Sequence, residues 1–143
     1  MELTLESDQP TRIIHQPLVL AVDDDEDNLL LLTEVLTPLN CSVTTATYGQ
    51  QALKLALEQQ PALILLDVML PDINGIEVVR QLKQNSQTAN IPVIAITALA
   101  RDEDRDRLIL AGCDNYISKP YMLDDLEAMI NYHLAIQHFL ACC

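Results

Sequence analysis

Short apolar runs of β type alternate along the chain with longer stretches whose apolar positions recur at helical spacing. The runs fall at 18–22, 42–45, 62–66, 92–96 and 115–117, and the helical stretches at 27–36, 49–58, 75–83, 102–111 and 123–133 or beyond. This pattern predicts five βα units spaced about two dozen residues apart. The first, third and fourth runs, LVLAV, ALILL and PVIAI, are apolar at every position. Strands of that kind need helices over both faces, as in a parallel sheet. SVTT, in the second run, is more polar and suits an edge. Pro61 and Pro92 stand near strand entrances, Gly112 stands where a helix needs a left-handed C-terminal cap, and the loops are short. The expected architecture is a doubly wound α/β domain.

At 143 residues, half of them hydrophobic, the chain suffices for one core. The expected layout is a flexible arm at 1–16, a domain at 17–133 and an apolar C-terminal extension of the last helix at 134–143. Eight basic against 21 acidic residues give a net charge of −13, which disfavours nucleic acid and anionic membrane surfaces as partners. No apolar run approaches the ~18 residues of a membrane span, and MELTLESDQPTRIIHQ is too acidic for a signal peptide, so a cytoplasmic protein is expected. The four cysteines have no metal-site spacing. Cys41 and Cys113 read as buried small apolar residues, and Cys142 and Cys143, which lack the CaaX order, as a plain tail.

In a parallel sheet every strand ends on the same edge, and that edge is where doubly wound folds bind ligands. The first strand ends at Asp23, Asp24 and Asp25, the third at Asp67 and the fourth at Thr97, and the fifth is followed by Lys119 and Pro120. Clustered carboxylates repel one another unless a cation sits among them, and oxygen donors without His or Cys favour a hard ion such as Mg2+. An ionised carboxylate can attack phosphorus to give an acyl phosphate. Asp67, closing an apolar run, is placed to be that nucleophile, with the Lys119 ammonium and the Thr97 hydroxyl sharing the phosphoryl oxygens. Plainer roles exist too. Asp25, Glu26 and Asp27 read better as caps and solubilising charges of the first helix; Thr97 alone is a strand-end hydroxyl and Lys119 alone a surface lysine.

Four blocks, VLAVDDDEDN, LILLDVMLPDINGIEVV, PVIAITALA and AGCDNYISKP, come in order with the spacing of the CheY-like response-regulator receiver domain, which the chain resembles over roughly 17–133. The resemblance implies a flavodoxin-like five-stranded sheet of order 2-1-3-4-5 with helices on both faces. It implies Asp67 as phosphoacceptor, with Asp23, Asp24, Asp67 and the Met69 backbone carbonyl around Mg2+. It further implies Lys119 as the phosphate-pairing lysine, a cis Lys119–Pro120 bond, and Thr97 and Tyr116 as the switch pair. Tyr116 read from composition alone is equally a partly buried core tyrosine. Ala98 leaves the rim open to a phosphodonor, and Gly75 suits the turn that starts the third helix. Met69 and Leu99, at positions that influence acyl-phosphate hydrolysis in the family, are both apolar, so slow decay is expected.

The implied activity is that of a single-domain response regulator, not an enzyme beyond its own phosphorylation and dephosphorylation. Its expected partners are a sensor histidine kinase or histidine phosphotransfer protein, and a downstream protein bound by helix four, strand five and helix five. With no output domain following, signalling is expected through this domain's own surface. In RDEDRDRLILAG, Glu103 and Arg107 attract at i,i+4 while Asp102–Asp106 and Arg101–Arg105 repel, so modest local stability is expected. LAIQHFLACC is apolar enough for a homodimer contact or a partner helix, with folding back onto the domain or fraying as the other expectation. A phosphorelay intermediate, passing its phosphoryl group to a histidine phosphotransfer protein, remains an alternative. A magnesium-dependent phosphatase of the haloacid dehalogenase type needs a second aspartate where Met69 stands. A nucleotide or flavin binder lacks its glycine-rich loop, since the chain has three glycines.

Overall fold

Because side chains alternate across a strand, an all-apolar strand presents two sets of residues to two different helix layers. That division organises the molecule. The computed structural model describes residues 16–98 and 101–142, with side chains described as far as residue 136. Strands β1 (Leu18–Val22), β2 (Ser42–Ala46), β3 (Leu63–Asp67), β4 (Val93–Thr97) and β5 (Asn115–Ser118) form a parallel sheet in the order β2-β1-β3-β4-β5. Val19, Ala21, Leu63 and Leu65 point to one face, where Leu29, Leu32 and Leu36 of α1 (Glu26–Leu36) and Leu126 and Ile130 of α5 (Leu123–Cys142) cover them. Leu20, Val22, Ile64 and Leu66 point to the other, under Ala52 and Ala56 of α2 (Gly49–Gln59) and Val78, Val79 and Leu82 of α3 (Gly75–Gln84). Helix α4 (Asp102–Ala111) adds Leu108 to a smaller cluster with Val68 and Ala95. The doubly wound fold and its strand order are as expected, with the polar β2 on an edge.

Several sequence-based expectations need correction. β3 and β4 each start one residue later than expected and take in Asp67 and Thr97, because the ladder continues through the pairs Asp67↔Ile96 and Thr97↔Ser118. Both residues are thus held by the sheet itself. In α4 the ion pairs run at i,i+3, Asp102 with Arg105 and Asp104 with both Arg101 and Arg107, and Glu103 meets Arg101 instead of Arg107 among the described residues. Asp104 is buried, while the side chains of its two partners, Arg101 and Arg107, stay exposed and reach it at 3.9 Å. Cys41 and Cys113 are half-buried, not buried, and pack on the rims of the clusters. Burial pushes both thiols up from their ordinary range, so they behave as small apolar groups. Gly112 takes the left-handed conformation (φ 103°) that ends α4. Leu99, residues 1–15 and Cys143 lie outside the described residues, as do the side chains of 137–142 on which the expected homodimer contact depends.

A polar knot closes the end of the sheet away from the strand tips. Lys83 Nζ donates to Asp114 Oδ2 (2.8 Å) and to the carbonyls of Ile91 (2.7 Å) and Ala89 (3.1 Å), while Asp114 Oδ2 also accepts from Val93 N–H. His133 of α5, 9 % exposed, sits nearby with Nε2 3.5 Å from Asn115 Nδ2. Burial lowers its pKa below the usual 6.5, and Lys83 adds to this while Asp114 opposes it. The folded state therefore holds fewer protons at His133 than the unfolded chain, so its contribution is full above pH 6.5 and is lost as pH falls through the folded value. Urea denaturation should accordingly show a steeper acid-side loss for the wild type than for His133→Gln. Identical profiles on this side would remove the assignment.

Candidate functional site

Each strand tip contributes a side chain whose orientation follows from local backbone geometry. Val22 leads into Asp23, whose N–H donates to the Ala46 carbonyl and whose Oδ1 accepts from Asp25 N–H at 2.9 Å. Asp25 turns the other way and caps α1, accepting from Asp27 N–H, so the plainer expectation for it holds. Asp67 ends β3 only 5 % exposed, with Oδ1 accepting from Met69 N–H at 2.9 Å. Lys119 reaches the same mouth because its N–H donates to the Thr97 carbonyl (2.7 Å), across the end of β4, and the bond to Pro120 is cis.

The carboxylates of Asp23, Asp24 and Asp67 have oxygens within 4.8 Å of one another. Lys119 Nζ lies 3.4 Å from Asp67 Oδ2 and 3.7 Å from Asp23 Oδ2. Thr97, 1 % exposed, occupies the neighbouring strand tip. Burial raises the pKa of Asp23 above the usual carboxylate range, and the negative charge of Asp67 adds to it, against the backbone bond from Asp25 and the Lys119 ammonium. Three carboxylates facing one ammonium leave excess negative charge in a partly dry mouth, and every donor is an oxygen. A hard divalent cation fits that donor set.

Tyr116 lies apart from the carboxylates. It is half-buried in β5 opposite Ala95, packs against Val68 and Leu108, and has the Arg105 guanidinium 5.8 Å from its ring centroid. Two features went unnoticed in the sequence. Arg105 carries no signal there beyond its place in a charged helix. Asp72, whose carboxylate receives the first N–H groups of α2, leaves a trace only in the lack of a capping side chain at Tyr48.

The model of the response regulator receiver domain matches residues 19–131. The chain belongs to this family. Among curated relatives of this receiver domain is the polar-differentiation response regulator DivK of Brucella anthropi, 40 % identical over 102 residues, which span 71 % of this chain and 83 % of that protein. A CheY-like receiver domain protein from Methanospirillum hungatei JF-1 superposes with a TM-score of 0.80 at 27 % identity, covering 87 % of this chain and 98 % of the other. The receiver domain of sensor histidine kinase PA1611 from Pseudomonas aeruginosa PAO1 does so with a TM-score of 0.77 at 28 % identity, covering 85 % and 99 %, and has a magnesium ion coordinated in its active site cleft. Receiver domains are signalling proteins of two-component systems rather than enzymes in the ordinary sense, and they bind Mg2+ at an acidic pocket of the kind seen here. No helix among the described residues is long and apolar enough to cross a membrane.

Proposed function

We propose that this receiver domain accepts a phosphoryl group on Asp67 from the phosphohistidine of a sensor kinase or histidine phosphotransfer protein and signals by contacts that depend on its phosphorylation. The observation that carries the reading is the joining, at one mouth, of the Asp23, Asp24 and Asp67 carboxylates with Lys119 Nζ. Oδ1 of Asp67 is tied to Met69 N–H, so Oδ2, facing Lys119, is the oxygen presented to phosphorus. As the O–P bond forms, the N–P bond of the donor breaks, and its electron pair returns to an imidazole nitrogen that takes up a proton. Lys119 pairs with the phosphoryl oxygens, and the Thr97 hydroxyl turns to the same group. Asp23, Asp24, Asp67 and the Met69 carbonyl hold Mg2+, which supplies charge neutralisation for the crowded oxygens when bound.

Thr97 and Tyr116 then form the switch, a two-state element biased by new charge at one end. Beside Lys119, Leu31 of α1 and Tyr121 and Leu123 border a cleft of about 540 Å³, and this is where a phosphodonor protein seats. The downstream partner binds across α4, β5 and α5, where Leu110 is 86 % exposed and Tyr132 is also exposed. Incubation with acetyl phosphate tests the reading. It requires Mg2+-dependent, acid-labile incorporation at Asp67, and a protein that stays unlabelled sinks it. Met69, 57 % exposed, offers no polar side chain to orient water beside the acyl phosphate. Met69→Asn should therefore shorten the phosphoprotein's lifetime several-fold, and an unchanged lifetime would count against slow decay as a property of this position.

A further inference from the structure

Helix α2 begins without a cap of its own. Tyr48 occupies the N-cap position in an extended conformation and makes no side-chain hydrogen bond there, and Gln51 reaches back to Thr47 N–H at 3.0 Å. The first amides of the helix are taken instead by a carboxylate from another part of the chain. Asp72 Oδ1 accepts from Gly49 N–H at 2.7 Å, and Oδ2 accepts from Gln50 N–H at 2.9 Å. These bonds, that from Gln50 foremost, hold the Asp72 carboxyl below its ordinary range. Ile73 follows so closely that a Cβ on Gly49 would lie 2.5 Å from its Cγ1. Two successive residues of the 68–74 loop thus sit on the start of α2.

The other half of that loop belongs to the acidic mouth. Met69 N–H holds Asp67 Oδ1, and the Val68 carbonyl accepts from Leu70 N–H (3.2 Å) and Gly75 N–H (2.9 Å). Asp24 and residues 68–74 line one cleft. A loop fastened only at its ends would leave the Met69 backbone free to drift from Asp67, and a third attachment at its middle removes that freedom. We propose that Asp72 is a positioning residue for phosphoryl acceptance: by clamping the loop after β3 onto the N-terminus of α2, it fixes the Met69 backbone against Asp67 and sets the affinity for Mg2+. The inference rests on the reading of Asp67 as a metal-dependent phosphoacceptor.

The competing account is that Asp72 merely caps α2. The two separate in a set of full-length variants: Asp72→Ala, Asp72→Asn, which keeps one acceptor oxygen, and Asp72→Ala combined with Tyr48→Ser, which gives α2 a cap from its own chain. Mg2+ affinity is read by calorimetric titration, Met69 amide exchange by NMR without metal, and stability by Tm. Asp72→Ala should weaken Mg2+ binding about tenfold, as loss of an outer-shell support does, and speed Met69 exchange. Asp72→Asn should fall between it and the wild type. In the double variant Tm should recover while Mg2+ affinity and Met69 exchange stay impaired. Recovery of all three together, or an unchanged Mg2+ affinity in Asp72→Ala, overturns the proposal. Failure of the wild type itself to bind Mg2+ or take up label would instead sink the reading beneath it, a result visible before any variant is made.

Discussion

Asp67→Asn should abolish acid-labile labelling by acetyl phosphate and leave the fold intact. An amide oxygen is not a nucleophile at neutral pH, and no acyl phosphate can form on a residue without a carboxylate. The substitution nearly preserves shape, and the Asn Oδ1 can still accept from Met69 N–H as Asp67 does at 2.9 Å. What changes is electrostatic. The new NH2 group faces Lys119 Nζ, which keeps Asp23 as a partner at 3.7 Å. The repulsion among Asp23, Asp24 and Asp67 is relieved in part, and Asp23 loses one of the influences that raise its pKa. The variant should therefore melt no lower than the wild type while incorporation falls to background. Retained labelling would place the acceptor elsewhere, and loss of folding would mean that Asp67 is structural.

The sequence made the strand ends legible for a physical reason. A strand covered on both faces must be apolar throughout, so the residue at which that run stops marks the sheet edge, and Asp23, Asp67 and Thr97 stood out as the stops. The same logic placed β2 on the outside. Lys119 was less exposed to this reasoning, since its approach to Asp67 depends on the Thr97 carbonyl that holds its N–H, a contact between distant segments. Features that depend on such meetings stayed hidden. A local rule finds a cap such as Asp25, which serves the helix it precedes, but Asp72 serves a helix that begins 23 residues earlier in the chain. In α4 the i,i+4 rule chose Glu103 with Arg107, whereas in the fold Arg107 meets Asp104 at i,i+3 and Glu103 meets Arg101, a choice of rotamer that spacing alone does not fix. Gly75 was visible, but its reason was not.

That reason gives the second large effect. By helix propensity alone, Gly75→Ala at the start of α3 should stabilise, by up to about 1 kcal/mol. The packing says otherwise. A Cβ on Gly75 would lie 2.5 Å from Val68 Cα, 2.9 Å from its carbonyl oxygen and 3.0 Å from its carbonyl carbon. All three are backbone atoms of the segment leaving β3, so no side chain can rotate away. Either α3 or the exit of β3 must retreat, against Val78, Val79 and Leu82, which anchor the helix in the core. Overpacking of this kind typically costs about 1–3 kcal/mol, and a backbone obstacle puts Gly75→Ala near the upper figure, a fall in Tm of about 10 °C. The damage also reaches the mouth, because the Gly75 N–H bond to the Val68 carbonyl fastens the loop whose next residue, Met69, holds Asp67. Thermal melting and Mg2+ titration of the same variant should decline together. An alanine that raises Tm would show that Val68 yields freely, and that the glycine serves helix initiation alone.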